Sequence, residues 1–575
     1  MIFERKRRGN RAVAAIRQKA YVATNSRIRS FNSSVSSNKI TGFGISTVKL
    51  YILCHNKAKY DEVVPIYSQY TWAAPIVMKY QDASFENACW KQLMELYDDW
   101  KDCDMVGTLS AKAFRKINLA EVDSIIRSSQ WRNASYYHFM DTKRQIAMWH
   151  HPNMSAICAD IVTKFGFELP TENNCNYWMC TPRLMAAFIH WFESEMRPYI
   201  FSHPLAMTDA KYSGTLTAEA CMKIAGVPYY PHIPFVLERM NKCFFDKTIR
   251  QQPNILCVGH EFSLTGAPIA LFNLGKYIST HTDYNVRLHS AAEFNVGMLN
   301  DPSLKAVIVN TLVCYTVIKQ IKKQGIHVFW WIHEWPDADT FNNYPWLMTD
   351  KSVYDAVSAL LFPSEKAVAN FRKVAPWVPA GKCKILTNGY RVIPQQPTAT
   401  ILTGKIVLTI VGTIERRKNQ DAFINHVFVP LLNRYPNLEL RLVGKVHNPV
   451  NIPEDANKNI ILVGEVKDAN PYIAETDIHV SYSNNEVLPM NILEAMRLGK
   501  PVVSTDVGGC SDLVVDGVTG FLVTANAHSD AVSKLSNLIE NVELRKVFGA
   551  RAKERFLATY EESIAFNPML TYLSE

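Results

Sequence analysis

The sequence lacks a long apolar segment. A helix that spans a bilayer needs about 18 or more consecutive apolar residues. The longest candidate, residues 306–318, is interrupted by Asn310 and Thr311. Near the N-terminus, the apolar run of residues 12–16 is too short for the core of a secretory signal peptide. The sequence therefore predicts neither a membrane-spanning helix nor a secretory leader.

Net positive charge is nearly absent outside the first 30 residues. These residues contain nine Lys or Arg and one acidic residue, Glu4, and so carry +8 of the chain's formal net charge of +9. A basic nucleic-acid-binding protein spreads Lys and Arg over its folded surface. The near-neutral remainder excludes that class, and we expect no nucleic-acid partner. Residues 1–45 are typical of a transit peptide or of a disordered basic arm, and we favour the arm.

A dense cysteine framework is also absent. The twelve cysteines among 575 residues are scattered, which favours a reduced, cytoplasmic location. The basic arm would add a peripheral contact with an anionic membrane surface, where lipid-linked acceptors reside. At about 150 residues per domain, the length predicts three or four domains.

From residue 254 onwards, short buried-type strands alternate with helical segments. Residues 254–259 open one series and residues 405–411 open a second, as is typical of βαβ units in parallel sheets. We expect an α/β chain with two tandem Rossmann-like domains, residues 251–392 and residues 393–575, preceded by an additional α/β domain of residues 46–250. Open α/β sheets bind ligands beyond the carboxyl ends of their strands, so the site is expected in the cleft between the tandem domains.

Two glutamates give the strongest functional signal. Glu486 and Glu494 lie eight residues apart, with the start of a helix between them. That start comprises Leu488, Pro489, Met490 and Asn491; proline suits the first helical turn, and the free N–H groups favour an anion. One carboxylate can hold sugar hydroxyls, the other ribose hydroxyls, and the helix start a diphosphate. The alternative is a capped surface helix with two solvated acids.

Paired cations follow the first strand of the same domain. Arg417 and Lys418 lie in the run of residues 412–419, and cations at a cleft suit a diphosphate. The alternative is a solvated basic turn. A glycine pair, Gly508 and Gly509, follows a later strand and permits close approach of the backbone.

With these motifs in this order, residues 254–565 resemble a family 4 glycosyltransferase of the GT-B fold. The resemblance implies transfer of a sugar from a nucleotide-sugar donor, with retention of anomeric configuration and without a metal cofactor. Glu486 would hold the donor sugar and Glu494 the ribose, while Lys418 and Arg417 would neutralise the departing diphosphate. Thr413 occupies a position where many family members have arginine. Whether Arg417 supplies that missing positive charge is therefore open.

The resemblance extends to the first Rossmann-like domain. Gly266 lies where family members pack a glycine pair against the donor phosphate, and His333 matches the cleft histidine that contacts the donor sugar. The alternation along the preceding strand predicts that Glu334 points away from the cleft. The neighbouring tryptophans suit either the core or an acceptor site.

Residues 46–250 allow two interpretations. Asp102 and Asp104 form a DxD pattern, which in GT-A transferases binds Mn²⁺ or Mg²⁺, but here the apolar residues follow the pattern instead of preceding it. The run from Asp104 to Lys116 weakly resembles bacterial polysaccharide transferase domains. The domain is therefore either a second, GT-A-like transferase with a divalent metal or an acceptor-binding domain without chemistry.

The sequence thus predicts a retaining glycosyltransferase that uses a UDP- or GDP-sugar donor. The acceptor is expected to be a glycan or a lipid-linked or protein-linked sugar. A double displacement would need a carboxylate beneath the anomeric carbon, and no residue in the sequence is an obvious candidate. The resemblance instead implies a front-side substitution. The alternative is a non-catalytic protein that binds nucleotide sugars or glycans on a transferase scaffold.

Overall fold

The computed structural model describes residues 47–128, 136–139, 153–168, 177–212, 216–263, 265–321, 325–392, 404–466 and 468–575. The expected basic arm and the Pro-rich break at residues 394–397 lie outside these ranges. Within them the chain forms three sheets. None of the helices in these ranges has both the length and the apolarity that a bilayer crossing requires.

The N-terminal sheet has five strands: β1 (Val48–Cys54), β2 (Ala73–Val77), β3 (Met105–Ser110), β4 (Tyr136–His138) and β5 (Trp178–Cys180). Their order is β2-β1-β3-β5-β4. β1 is parallel to β2 and β3, whereas β5 is antiparallel to β3 and β4. Alternate residues of β1 belong to two different apolar clusters because helices cover both faces of the sheet. The helices are Lys57–Tyr67, Cys89–Glu95, Tyr97–Trp100, Leu119–Ser128, Met154–Phe165, Pro182–Trp191, Arg197–Ser202, Ala218–Ala225 and Ile233–Gln251.

The second sheet contains β6 (Asn254–Gly259), β7 (Asn285–Ser290), β8 (Leu304–Asn310), β9 (His327–Trp331), β10 (Ala359–Phe362) and β11 (Cys383–Ile385). All of its neighbouring strands are parallel, in the order β11-β10-β9-β8-β6-β7. The chain reverses direction across the sheet between β6 and β8, which gives this sheet a switch point. The helices are Gly266–His281, Tyr315–Gln320, Ala338–Asn343, Trp346–Thr349, Ser352–Asp355 and Glu365–Val374.

The third sheet contains β12 (Ile406–Val411), β13 (Leu438–Val443), β14 (Ile460–Gly464), β15 (Ile478–Ser481), β16 (Val502–Thr505) and β17 (Gly520–Val523). It is parallel throughout, and its order β14-β13-β12-β15-β16-β17 is that of a dinucleotide-binding Rossmann sheet. The predicted tandem Rossmann-like architecture is therefore confirmed. The helices are Gln420–Phe423, Val429–Arg434, Asn470–Ala474, Met490–Arg497, Cys510–Leu513, His528–Glu540, Val542–Thr559, Glu562–Ala565 and Asn567–Ser574.

The last helices return to the first Rossmann-like domain. Phe566 is fully buried, and its ring lies 5.6 Å from Tyr277 and 6.4 Å from Trp331. The backbone N–H of Tyr390 donates to the carbonyl of Tyr560 at 3.1 Å. One apolar cluster consequently includes residues of both parallel sheets. This packing holds the carboxyl edges of the two sheets on opposite sides of a shared cleft.

Candidate active site in the interdomain cleft

The cleft between the two parallel sheets has a volume of about 1100 Å³. Its walls are loops that follow strand ends: Glu261 follows β6, His333 follows β9, Tyr390 follows β11, Arg417 follows β12 and Glu486 follows β15. The cleft brings together the ten residues that the sequence singled out in these domains: Gly266, His333, Arg417, Lys418, Glu486, Leu488, Pro489, Met490, Asn491 and Glu494.

Glu486 is buried and held by three side chains. Its Oε1 lies 2.5 Å from Nζ of Lys418 and 3.4 Å from Nη1 of Arg417, and it accepts a hydrogen bond from Oγ of Ser483 at 2.8 Å. Burial alone would raise the pKa of Glu486, but the two cations outweigh burial and lower it. The carboxylate is therefore ionised and fixed in position at neutral pH.

The glycine pair predicted from the sequence packs directly against the Glu486 loop. A Cβ at Gly508 would lie 1.6 Å from the carbonyl oxygen of Glu486, and a Cβ at Gly509 would lie 1.9 Å from that of Val487. Gly508 also has a φ of +53°, a conformation that L side chains rarely adopt. The two glycines therefore allow the β16 loop to support the peptide that carries Glu486.

The helix Met490–Arg497 begins at the cleft, with Pro489 as its N-cap. Asn491 anchors this start because its Nδ2 donates to the carbonyl of Val411, the last residue of β12, at 2.9 Å. Across the cleft, a Cβ at Gly266 would lie 3.2 Å from Cγ of Met490. The absent side chain at Gly266 thus leaves room for the side chain of Met490 at the helix start. The phosphate contact expected at Gly266 stays a prediction.

Glu494 has a hydrogen-bond partner that the sequence did not reveal, and this partner lies beside an arginine. Its Oε1 accepts a hydrogen bond from the phenol of Tyr390 at 2.7 Å, and the guanidinium of Arg497 lies 4.6 Å from the centre of the Tyr390 ring. Burial raises the pKa of Glu494, while the Tyr390 hydrogen bond and Arg497 lower it. Since Tyr390 follows β11, it links the first Rossmann-like domain to a carboxylate of the second.

We expect Tyr390→Phe to weaken binding of a nucleotide-sugar donor by about tenfold, because a hydrogen bond to a charged group contributes roughly 1.5–3 kcal/mol. Loss of the phenol also removes an interaction that lowers the pKa of Glu494. The loss of donor affinity on acidification should therefore begin at a higher pH in the variant. Donor titrations across pH measure both effects. Tyr572→Phe is the matched control, since its phenol donates to the carbonyl of Ile385, at 3.1 Å, outside the cleft. Equal behaviour of the two variants would contradict the role of Tyr390.

His333 lies at the end of β9 with its ring centre 4.4 Å from that of Trp331. Its Nε2 is buried and has no hydrogen-bond partner among the described residues. Burial, and to a smaller extent His260, lowers the pKa of His333 to about 3. The imidazole is therefore neutral at physiological pH and offers its nitrogen to a ligand in the cleft.

Glu334 contributes to the lining of the cleft, and the expectation that its side chain points away stays a prediction. The chain leaves the strand geometry after Trp331, and both carboxylate oxygens of Glu334 lie 3.0 Å from the backbone N of Leu312. Leu312 follows Thr311, whose φ of +71° turns the chain at the end of β8. Burial raises the pKa of Glu334 to about 7, although hydrogen bonds from backbone N–H groups oppose the shift.

The raised pKa of Glu334 predicts a specific pH dependence of stability. The native carboxyl keeps a proton that the unfolded chain releases near its ordinary pKa of 4.5, so stability falls as the pH rises from about 4.5 to about 7. Glu334→Gln removes this titration and retains an acceptor for the Leu312 N–H. We expect its thermal midpoint to fall less over this range than that of the wild type. The exposed Glu365 provides the control variant Glu365→Gln; a drop in Glu334→Gln as large as in this control would contradict the assignment.

Asp102 and Asp104, the predicted DxD pair, are engaged with the first Rossmann-like domain. Asp104 forms an ion pair with Lys276 and its Oδ2 accepts from the backbone N of Thr47 at 3.0 Å, while the carbonyl of Asp102 accepts from Arg391. Both acidic residues precede β3 and so lie at its amino end. No group of three or more His, Cys, Asp or Glu suited to a metal ion occurs in the described part of the chain.

Part of this chain is similar to known glycosyltransferases. The family described as glycosyl transferases group 1 matches residues 405–541. The capsular polysaccharide biosynthesis glycosyltransferase CapM of Staphylococcus aureus is 25% identical over 175 residues, which are 29% of this chain and 46% of CapM. D-inositol 3-phosphate glycosyltransferase of Paenarthrobacter aurescens is 30% identical over 166 residues, 27% of this chain and 39% of the relative. The chain thus spans less than half the length of these curated relatives.

A solved structure of Anabaena Alr3699/HepE in complex with UDP and glucose aligns with a TM-score of 0.48 and 16% identity, covering 56% of this chain and 99% of that one. The family match falls on the domain that carries Arg417, Lys418, Glu486 and Glu494, and the two parallel sheets have the predicted arrangement. Residues 405–541 of the second Rossmann-like domain thus match the glycosyl transferases group 1 family, and the two parallel sheets form the tandem Rossmann-like arrangement that the sequence predicted.

Proposed function

We propose that this chain is a retaining glycosyltransferase that takes its sugar from a UDP- or GDP-sugar. The observation that carries the proposal is the buried Glu486 carboxylate, held by Lys418 and Arg417 in a cleft that His333 lines from the other domain. A fixed carboxylate accepts hydrogen bonds from sugar hydroxyls, and the adjacent cations suit a diphosphate. Glu486 and Lys418 are largely shielded from solvent, while Arg417 is about half exposed at the mouth of the pair.

Each part of a nucleotide-sugar donor has a partner in this arrangement. Glu494, positioned by Tyr390, accepts hydrogen bonds from the ribose hydroxyls. The start of the helix Met490–Arg497 supplies N–H groups to the diphosphate, and Lys418 and Arg417 neutralise the charge that develops as it departs. Since these two cations balance the leaving group, the proposal requires no metal ion.

We propose a front-side substitution as the reaction. The bond between the anomeric carbon and the phosphate oxygen breaks, and the acceptor oxygen bonds to the same face of that carbon. The departing phosphate oxygen takes the proton of the acceptor hydroxyl. Neutral His333 contributes a polar contact to the sugar without adding charge, and Glu334 is engaged by the Leu312 N–H. Trapping a glycosyl group covalently on Glu334 or another cleft residue would overturn this mechanism.

The acceptor is proposed from chemistry and from relatives. The curated relative CapM is named for capsular polysaccharide biosynthesis, which supports a glycan or a lipid-linked sugar as acceptor. A protein-linked sugar is the remaining acceptor class. The acceptor is expected to enter beside Glu261, Glu334 and Trp335, which line the first-domain wall of the cleft.

Donor binding and product configuration test the proposal. A nucleotide sugar at 100 times its Kd stabilises the protein by about 2.7 kcal/mol, so a thermal-shift panel identifies the donor. Proton NMR of the sugar product then reports the configuration, and an α-linked donor is expected to give an α-linked product. A β-linked product from that donor contradicts retention. A protein that binds the donor but never releases a nucleoside diphosphate is a binding protein on a transferase scaffold.

The basic arm supports a separate proposal of peripheral membrane contact. A cationic residue near an anionic surface contributes about 1 kcal/mol, and residues 1–30 hold nine. Deletion of residues 1–40 is expected to weaken binding to vesicles that contain anionic lipid and to spare turnover on a soluble acceptor. Neutral vesicles are the control. Loss of turnover on the soluble acceptor would show that the arm belongs to the catalytic fold.

A further inference from the structure

The N-terminal domain has its own switch point. The chain passes from β1 to β2 on one side and then to β3 on the other side of β1. In open α/β sheets, ligands bind beyond the carboxyl ends of the strands at such a point. The loops that follow these carboxyl ends contain His55, after β1, and Lys112, after β3. Asp102 and Asp104 lie at the opposite end of β3, so this edge is distinct from the predicted DxD pair.

A rigid turn brings a carboxylate to this edge. The 3₁₀ helix Phe85–Ala88 lies in the segment between β2 and β3 and carries Glu86. Asn241 in the helix Ile233–Gln251 donates to Oδ1 of Asn87 at 3.0 Å, which fixes the turn against that helix. Phe85, which opens the turn, has a φ of +53°, an uncommon conformation for a residue other than glycine. Oε1 of Glu86 lies 3.8 Å from Nε2 of His55.

A second carboxylate, Glu238, is in the helix that packs against this turn. Burial, and after it the charge of Glu238, raises the pKa of Glu86 to about 7, while Lys116 and Lys112 oppose the shift. Burial likewise raises the pKa of Glu238. Among the described residues, neither carboxylate has a hydrogen-bonded partner, and Lys112 is exposed and forms no ion pair.

These groups are unlike the other ion pairs of the domain. Asp82, Glu193 and Arg197, for example, satisfy one another within the same part of the fold. Partly buried carboxyl groups are normally hydrogen-bonded because leaving them without donors costs free energy. The edge thus combines acceptors for hydroxyl groups, Glu86 and Glu238, with cations suited to phosphate, Lys112 and Lys116.

We propose that the carboxyl edge of β1 and β3, with His55, Glu86, Lys112, Lys116 and Glu238, is a second ligand site that takes a phosphorylated sugar. The sugar hydroxyls donate to the two carboxylates, and the phosphate contacts the lysines. The site is separate from the interdomain cleft and does not depend on the function proposed for that cleft.

The test uses the full-length chain with Glu486→Ala and Lys418→Ala, which disable the donor site of the cleft. UDP-glucose, GDP-mannose and glucose 1-phosphate are titrated by calorimetry. At least one of these probes is expected to bind. Adding Lys112→Ala or Glu86→Gln should weaken that binding by about tenfold, as expected when a charge-assisted hydrogen bond is lost. Binding of glucose 1-phosphate identifies a sugar phosphate as sufficient, and binding only of the nucleotide sugars identifies the larger ligand.

Lys57→Ala is the matched control. Lys57 begins the helix that follows His55, but its ammonium pairs with Asp61 at 2.8 Å in solvent, so its loss should leave binding unchanged. Lys112 is exposed, and its variant is expected to fold as the parent does, which a thermal midpoint checks. The proposal is overturned if no probe binds the folded double variant, or if Lys112→Ala and Glu86→Gln both bind as tightly as Lys57→Ala.

Discussion

Glu486→Gln is expected to lower turnover of a nucleotide-sugar donor by about 10²-fold or more, because misplacement of a bound substrate by about 1 Å can cost that much. Glutamine has nearly the same size, but it removes the charge that pairs with Nζ of Lys418 at 2.5 Å and with Arg417. Its amide nitrogen also places a donor where the sugar hydroxyls are expected to donate. Lys418 is left partly buried without its counter-charge, so both the donor sugar and the diphosphate lose a fixed partner. Steady-state release of nucleoside diphosphate measures the loss.

Glu415→Gln is the control for this prediction. Glu415 contacts the same arginine, with Oε1 at 2.9 Å from Nη2 of Arg417, but it does not line the cleft. Its variant therefore removes one carboxylate from the basic turn without touching the donor sugar, and it should retain turnover close to that of the wild type. Equal turnover in the two variants would contradict the role of Glu486.

Gly508→Ala is expected to reduce turnover by about 10²-fold while leaving the three sheets folded. The new Cβ would lie 1.6 Å from the carbonyl oxygen of Glu486 and 2.8 Å from its carbon, so one of the two backbones must move. The displaced peptide carries Glu486, and the shift is passed directly to its carboxylate. The positive φ of Gly508 adds a strain of roughly 1–2 kcal/mol for alanine. Donor turnover and the thermal midpoint separate the two effects.

Gly517→Ala isolates the backbone strain from the collision. Gly517 has a φ of +71°, but nothing lies within 4 Å of the position that its Cβ would occupy. Both variants should therefore lose a similar amount of stability from strain, whereas only Gly508→Ala should lose most of its turnover. If Gly508→Ala keeps wild-type turnover, the glycine loop does not support Glu486 in the way that the structure indicates.

The convergence of the ten cleft residues was predictable from sequence for a general reason. In a parallel sheet, every carboxyl end lies at one edge, so loops after β12 and β15 meet whatever their detailed conformation. Recognising the strands before Arg417 and before Glu486 was sufficient to place these two residues together.

The contacts of Glu494 and Glu334 were not predictable in this way. Tyr390 reaches Glu494 because residues 560–562 return to the first domain and hold Tyr390 by backbone hydrogen bonds, a pairing across about 170 residues of sequence that no local pattern encodes. The carboxylate of Glu334 bonds to the backbone N of Leu312, a contact that strand alternation does not encode because the strand ends at Trp331. Similarly, the DxD pattern left a metal site and a solvated loop both open for Asp104, and only the packing of the domains reveals that Lys276 is its partner.

Release of nucleoside diphosphate from a panel of UDP- and GDP-sugars by the purified chain tests whether the interdomain cleft transfers sugar. We expect release from at least one donor, faster when a glycan or lipid-linked acceptor is present, and its loss in both Glu486→Ala and His333→Ala. Release that survives both substitutions, or tight donor binding without any release, would contradict a glycosyltransferase site built on these residues.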